Sequence, residues 1–187
     1  DVSFDYLNAD AFIITGSKYS VYDNAKWIDN LKLKVDDIIK LGKPILGICF
    51  GHQLLANCLG GKVEKNSKGW ELGSYEISLT KEGKTSPLFN KFNNNDTVYE
   101  SHQDVVSSLP KDAIELAYSN KGNQSFSYGD FLYGVQFHPE FSYDVTRKLM
   151  DLRLERGVKI DNDILIESVN SKNILTNFIE IVKENIQ

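Results

Sequence analysis

The stretch Lys43-Pro44-Ile45-Leu46-Gly47-Ile48-Cys49-Phe50-Gly51-His52-Gln53 changes its periodicity within a single residue. Ile45 to Ile48 is apolar throughout, as a strand covered on both faces should be. A helical pattern starts at once with His52, Gln53, Leu54, Leu55 and Ala56. A strand that turns sharply into a helix at Gly-Ile-Cys-Phe-Gly has the layout of a nucleophile elbow, with cysteine at its apex. Glycine on each side is a steric requirement of that turn, because no Cβ fits beside the apex. Cys49 would then stand at a helix N-terminus, where the aligned N–H groups and the dipole favour thiolate over thiol.

A cysteine nucleophile needs a base, and the base needs a third group to orient it. The chain has three histidines. His52 lies one helical turn past Cys49 and is expected to point away from the mouth of the elbow. His102, in Tyr99-Glu100-Ser101-His102-Gln103-Asp104, is read as a structural histidine, on the ground that no carboxylate stands at orienting spacing. His138 closes the β-type run Gly134-Val135-Gln136-Phe137-His138-Pro139-Glu140. Pro139 pushes His138 toward extended geometry, where residues two apart face the same side. Glu140 can therefore hold one tautomer of His138. Cys49 as nucleophile, His138 as base and Glu140 as orienter form the expected triad.

Strands and helices alternate along the rest of the chain. Ala11 to Thr15 reads as a short strand ending at Gly16. A helix from about Asp23 to Leu41 carries Ile28, Leu31, Val35 and Ile38 at three-four spacing, and Gly42 and Pro44 end it. From Lys62 to Gln136 the period becomes two. Phe141, Val145, Leu149 and Leu152 mark a further helix. Ser171 is expected to cap a last one that buries Ile174, Leu175, Phe178 and Val182. These elements predict one α/β domain over residues 1–187: three layers, a mainly parallel central sheet, flanking helices and an antiparallel insertion.

Gly47-Ile48-Cys49-Phe50-Gly51-His52-Gln53 together with Gly134-Val135-Gln136-Phe137-His138-Pro139-Glu140 resembles the class I, triad-type glutamine amidotransferases. Ile13-Ile14-Thr15-Gly16-Ser17 is similar to the family's strand and glycine turn, and Ser101-His102-Gln103-Asp104 to its substrate-side loop. Within the class, the closest likeness is to the amidotransferase domain of GMP synthetase and its stand-alone relatives. The resemblance implies a flavodoxin-like amidotransferase architecture in which a strand and helix usually precede Ala11. It also implies hydrolysis of the glutamine side-chain amide through a cysteinyl thioester, giving glutamate and ammonia. Elbow geometry places the Phe50 N–H in an oxyanion hole, and the resemblance adds the backbone at Gly16. Gln53, Ser101 and Gln103 are the implied contacts to the far end of the substrate. L-glutamine or a γ-glutamyl compound is the implied ligand, with ammonia delivered to a separate synthetase subunit. A γ-glutamyl hydrolase or peptidase using the same triad is the alternative within enzymology, and a silent regulatory binding module is the alternative outside it.

With 41% hydrophobic and 25% charged residues among 187, the composition is that of a chain with a sizeable core. A net charge of −5 argues against a nucleic-acid surface. No apolar run approaches the roughly 20 residues that span a bilayer. Two cysteines, one required as a thiol, point to a reducing, cytoplasmic setting. The sequence has no C-x-x-C pair, H-E-x-x-H, P-loop or G-x-G-x-x-G, so neither metal nor cofactor is expected. Trp70, between glycines, is read as a loop anchor rather than a cleft residue. Asp104 is expected to fix its own loop by accepting from backbone N–H groups. Tyr19 and Tyr22 border the entrance near Gly16 or pack beside it. Cys58 is read as a packing residue.

Overall fold

Ile45–Ile48 forms strand β2, buried at every residue, between two parallel neighbours, β1 (Phe12–Ile14) and β10 (Leu132–Val135). The computed structural model describes residues 8–160 and 164–185. Beyond β10 the same sheet continues through β9 (Gly122–Tyr128), β8 (Ile114–Ser119) and β5 (Ser78–Leu79), in the order β1-β2-β10-β9-β8-β5. Those outer pairings are antiparallel. Among the described residues, parallel character is thus confined to β1, β2 and β10, and the expected insertion extends the central sheet itself. Connection length explains the division. A helix links β1 to β2, whereas tight turns at residues 120–121 and 129–131 link β8, β9 and β10. Two ribbons complete the strands of the described residues: β3 (Lys62–Lys65) with β7 (Asp104–Ser108), and β4 (Glu71–Glu76) with β6 (Thr97–His102).

Alternation along β2 divides the core in two. Ile45 packs with Ile28, Val35 and Ile38 of α1 (Lys26–Lys40) and with Phe50, Leu54 and Leu55 of α2 (Phe50–Cys58). Leu46 and Ile48 pack on the opposite face with Phe137 and with Ile174, Phe178 and Ile181 of α5 (Asn173–Asn185). Helices on both faces of the sheet give the three layers. The α1 stripe is the one its spacing predicts, and Gly42, at φ +66°, ends that helix. Ser171 precedes α5, and its carbonyl accepts the Ile174 N–H at 3.1 Å. The short α3 (Lys81–Thr85) is capped by Thr80, whose hydroxyl accepts the Gly83 N–H.

The helix α4 (Tyr143–Glu155) departs from its expected face. It buries Thr146 and Met150, while Val145 and Leu152 lie exposed and Phe141 precedes its first turn. α4 rests on the narrow β4–β6 ribbon, where Met150 meets Leu72, Tyr99 and Leu165. A two-stranded support accommodates only a narrow stripe, so the wider apolar pattern is left in solvent.

Under the elbow, backbone packs directly on backbone. A Cβ on Gly51 would stand 2.1 Å from the Ile14 carbonyl oxygen, and one on Gly47 would stand 2.5 Å from the Gly51 backbone. Gly51→Ala should therefore destabilise the protein by at least the roughly 1–3 kcal/mol usual for an overpacked core. Urea unfolding would show this as a lower midpoint at unchanged slope.

Candidate active site

Cys49 follows β2 and stands at the N-cap of α2 with φ 53° and ψ −103°, a backbone conformation that non-glycine residues seldom adopt. Its own N–H is bonded to the Val135 carbonyl at 2.9 Å, and its carbonyl accepts the Gln53 N–H at 3.1 Å. Strand β10 and the first turn of α2 therefore hold the strained residue from both sides. Phe50 opens α2 immediately after the thiol.

His138 follows β10, and its N–H is bonded to the Tyr99 carbonyl of β6 at 2.8 Å. Its Nδ1 lies 2.7 Å from Glu140 Oε1, and its ring stacks on Phe141 at 3.9 Å and 6°. A carboxylate only accepts, so Nδ1 carries the proton and Nε2 is left as the basic nitrogen. Gly16 is where this ring and the nucleophile meet. A Cβ there would stand 2.9 Å from His138 Cε1 and 3.6 Å from Cys49 Cβ. Cys49, His138 and Glu140 thus lie around Gly16, although they are distant in sequence.

Beside them opens a cleft of about 220 Å³. That is below the roughly 300–1,000 Å³ of drug-sized sites and suits an amino-acid-sized group. Cys49, Phe50, Gln53, Ser101 and Gln103 all line it, while His138 and Glu140 are not among its lining residues. Gln53 donates from Nε2 to the Asp104 carbonyl at 3.0 Å and to Gln136 Oε1 at 2.9 Å. Its amide nitrogen therefore braces the cleft wall, and contact with a ligand would fall to the rest of its side chain. Among the described residues, no group of His, Cys, Asp and Glu is arranged to hold a metal ion.

Four expectations change. Burial, and after it the charge of Glu100, pushes the Cys49 thiol up to about 12, with Glu140 and Asp104 adding to the effect. The Phe50 N–H opposes this without prevailing, so the elbow does not by itself make a thiolate. Asp104 accepts from the Ser20 hydroxyl and, at 2.9 Å, from the Tyr22 hydroxyl. It ties down the loop of residues 20–22 rather than backbone N–H groups of its own. Trp70 lines the cleft, with the Arg153 guanidinium 4.9 Å from its ring centroid. His102 does have carboxylates at orienting distance: its Nε2 is 3.1 Å from Glu100 and 3.2 Å from Glu71. Glu100 stands two residues before it on a strand, the same spacing that singles out Glu140. His52 behaves as expected. It is buried against Phe126 with its pKa lowered to about 3, first by burial and then by His102.

Glutamine amidotransferase class-I is the family that matches, over residues 2–152. γ-Glutamyl peptidase 5 of Arabidopsis thaliana is 35% identical over 145 residues, which cover 76% of this chain and 58% of that protein. The GMP synthase of Pyrobaculum aerophilum is 35% identical over 155 residues, 82% of this chain and 28% of that protein. This chain thus spans less than two thirds of the length of the first relative and under a third of the second. Among solved structures, a glutamine amidotransferase from Thermotoga maritima superposes with a TM-score of 0.82 at 28% identity. That match covers 98% of this chain and 82% of the other.

A protonated resting thiol sets the expected chemistry of labelling. Peptide-resolved iodoacetamide alkylation of Cys49 should keep accelerating with pH beyond about 9, because the thiolate is the reacting form. A rate that levels off near neutrality would contradict the protonated ground state. Gly16→Ala should displace the His138 ring, which a shifted His138 imidazole resonance in a protein of normal fold would register.

Proposed function

Because this chain belongs to the class-I glutamine amidotransferase family, we propose that it hydrolyses the side-chain amide of glutamine through a cysteinyl thioester, releasing glutamate and ammonia. The observation that carries this reading is the 2.7 Å contact between His138 Nδ1 and Glu140, with the same ring set against Gly16 beside Cys49. The thiol proton passes to His138 Nε2 as sulfur bonds to the amide carbon. The tetrahedral oxyanion is held by the Phe50 N–H and by backbone at Gly16. Collapse breaks the C–N bond, and His138 returns the proton to the departing ammonia. Water then attacks the thioester while His138 takes its proton, and glutamate and the free thiol are regenerated. Glu140 keeps the base in the required tautomer throughout. Ser101, Gln103 and Gln53 hold the α-amino and carboxylate end. Ammonia would be consumed by a separate synthetase subunit. The setting we propose is cytoplasmic, in keeping with the thiol chemistry; among the described residues no helix is long and apolar enough to cross a membrane.

One feature of the cleft favours a second reading, in which the leaving group is larger than ammonia. Trp70 and Arg153 form an aromatic and cationic wall that a departing ammonia molecule does not need. A γ-glutamyl amide of an amino acid would offer a carboxylate to that guanidinium. The names of the γ-glutamyl peptidases among its relatives agree with this second reading.

Steady-state kinetics separate the two. If glutamine is the substrate, Arg153→Ala should leave its kcat and KM nearly unchanged. If a γ-glutamyl dipeptide is preferred, Arg153→Ala should raise KM for the dipeptide while sparing glutamine. Under either reading Cys49→Ala abolishes turnover, and Glu140→Gln lowers kcat by about 10²–10⁴-fold, the usual contribution of a positioned acid–base group. Turnover persisting in Cys49→Ala would refute both, whereas an intact protein that turns over neither substrate would favour the silent binding module.

A further inference from the structure

The reaction above gives no part to His102, which is buried as His138 is. His102 ends β6 directly opposite Glu71 of β4, and Glu100 lies two residues back on the same face. All three side chains are buried. His102 Nδ1 is 2.9 Å from the Asp104 carbonyl oxygen, an atom that only accepts, so Nδ1 bears a proton. Its Nε2 lies 3.1 Å from Glu100 and 3.2 Å from Glu71, ion-pair distances at which the two carboxylates favour a second proton there. Two protonated ring nitrogens make an imidazolium. Without that charge, Glu71 would keep its hydrogen bonds from Ser119 and Gln124 and the charge of Lys121, but Glu100, whose pKa burial already raises to about 7, would lose the cation that favours its ionised form.

The cluster also joins two parts of the fold that share no sheet. Glu71 accepts from Ser119 of β8 at 2.8 Å and from Gln124 of β9 at 3.1 Å. The Asp104 carbonyl that receives His102 receives Gln53 of α2 too. On the ribbon side, β6 supplies the Tyr99 carbonyl that takes the His138 N–H, and it leads into Ser101 and Gln103 at the cleft. We propose that His102 is a positioning residue: held as an imidazolium, it pins the β4–β6 ribbon to the sheet that carries Cys49, and losing its charge shifts His138 and the cleft wall.

Assigning His138 as the base rests on the function proposed above; the pinning does not. The groups that bear on the cluster are Glu71 and Glu100 from the ribbon, Lys121 acting on Glu71, His52 from α2, Cys49 at the N-terminus of α2, and the backbone carbonyl of Asp104. Glu100 and Glu71 together raise the His102 pKa to about 10 despite its burial. The charge is therefore kept across the neutral range and lost only in alkali.

Nitrogen-15 NMR of the imidazoles tests this in the intact chain, where three histidines keep assignment simple. Between about pH 6 and 9, both His102 nitrogens should show the imidazolium pattern while His52 stays neutral. The His138 signals should move with the midpoint at which His102 titrates. In Glu71→Gln, which removes one carboxylate and keeps the shape, that shared midpoint should fall by about one pH unit or more. Glu100→Gln should do the same and serves if the first variant folds poorly. Where turnover is measurable, the alkaline fall of kcat/KM should track the same midpoint. A neutral His102 at pH 7, or a His138 spectrum indifferent to His102 titration, overturns the proposal. Absence of turnover would count only against the function proposed above, since the spectra report the pin directly.

Discussion

Everything at this site depends on how closely the turn at Cys49 presses against the strand beside it. Gly51 lies against the Ile14 carbonyl and Gly47 against Gly51, with no room for a methyl group at either place. That contact lets α2 start while β2 is still buried, and it forces Cys49 to φ 53°. A strained apex persists only when its surroundings over-determine it. Here the Val135 carbonyl holds its N–H, and the helix takes its carbonyl. The same register lays β10 beside β2, which delivers His138 to the end of the sheet where the thiol emerges.

Activation of the sulfur then becomes a contest between local and global fields. The helix terminus and the Phe50 N–H favour a negative sulfur. Burial and three carboxylates disfavour it more strongly, with Glu100 the largest of the charges. The thiol rests protonated and needs a base when substrate arrives. A nucleophile that stays protonated until then is protected from adventitious oxidation, because susceptibility follows thiolate character. His138 is built to serve as that base, since the Glu140 carboxylate fixes its tautomer and Phe141 fixes its ring plane.

Around this centre the cleft is assembled from pieces that belong to different sheets. The segment 101–104 runs from the β4–β6 ribbon into β7, and the loop after Gly16 is tied to it through Asp104. Trp70 comes from the turn before β4 and Arg153 from the far end of α4. Such a pocket holds its shape only if the ribbons are fixed to the central sheet. The hydrogen bonds from Ser119 and Gln124 to Glu71, and from Gln53 to Asp104, supply that attachment.

The primary sequence determined whatever local sterics and periodicity control. The run Ile45 to Ile48, the two glycines around Cys49, the α1 stripe and the spacing of His138 and Glu140 each follow from short-range geometry. Three-dimensional packing decided what depends on which surfaces meet. It set how few strands are parallel, which side of α4 is buried, and that Trp70 and Arg153 face the cleft. It also set the protonation of the sulfur, since desolvation and the charge of Glu100 reach Cys49 only through space. Glu100 could have been matched to His102 by the rule that matches Glu140 to His138. Glu71 could not, because its register opposite His102 exists only once β4 and β6 have paired.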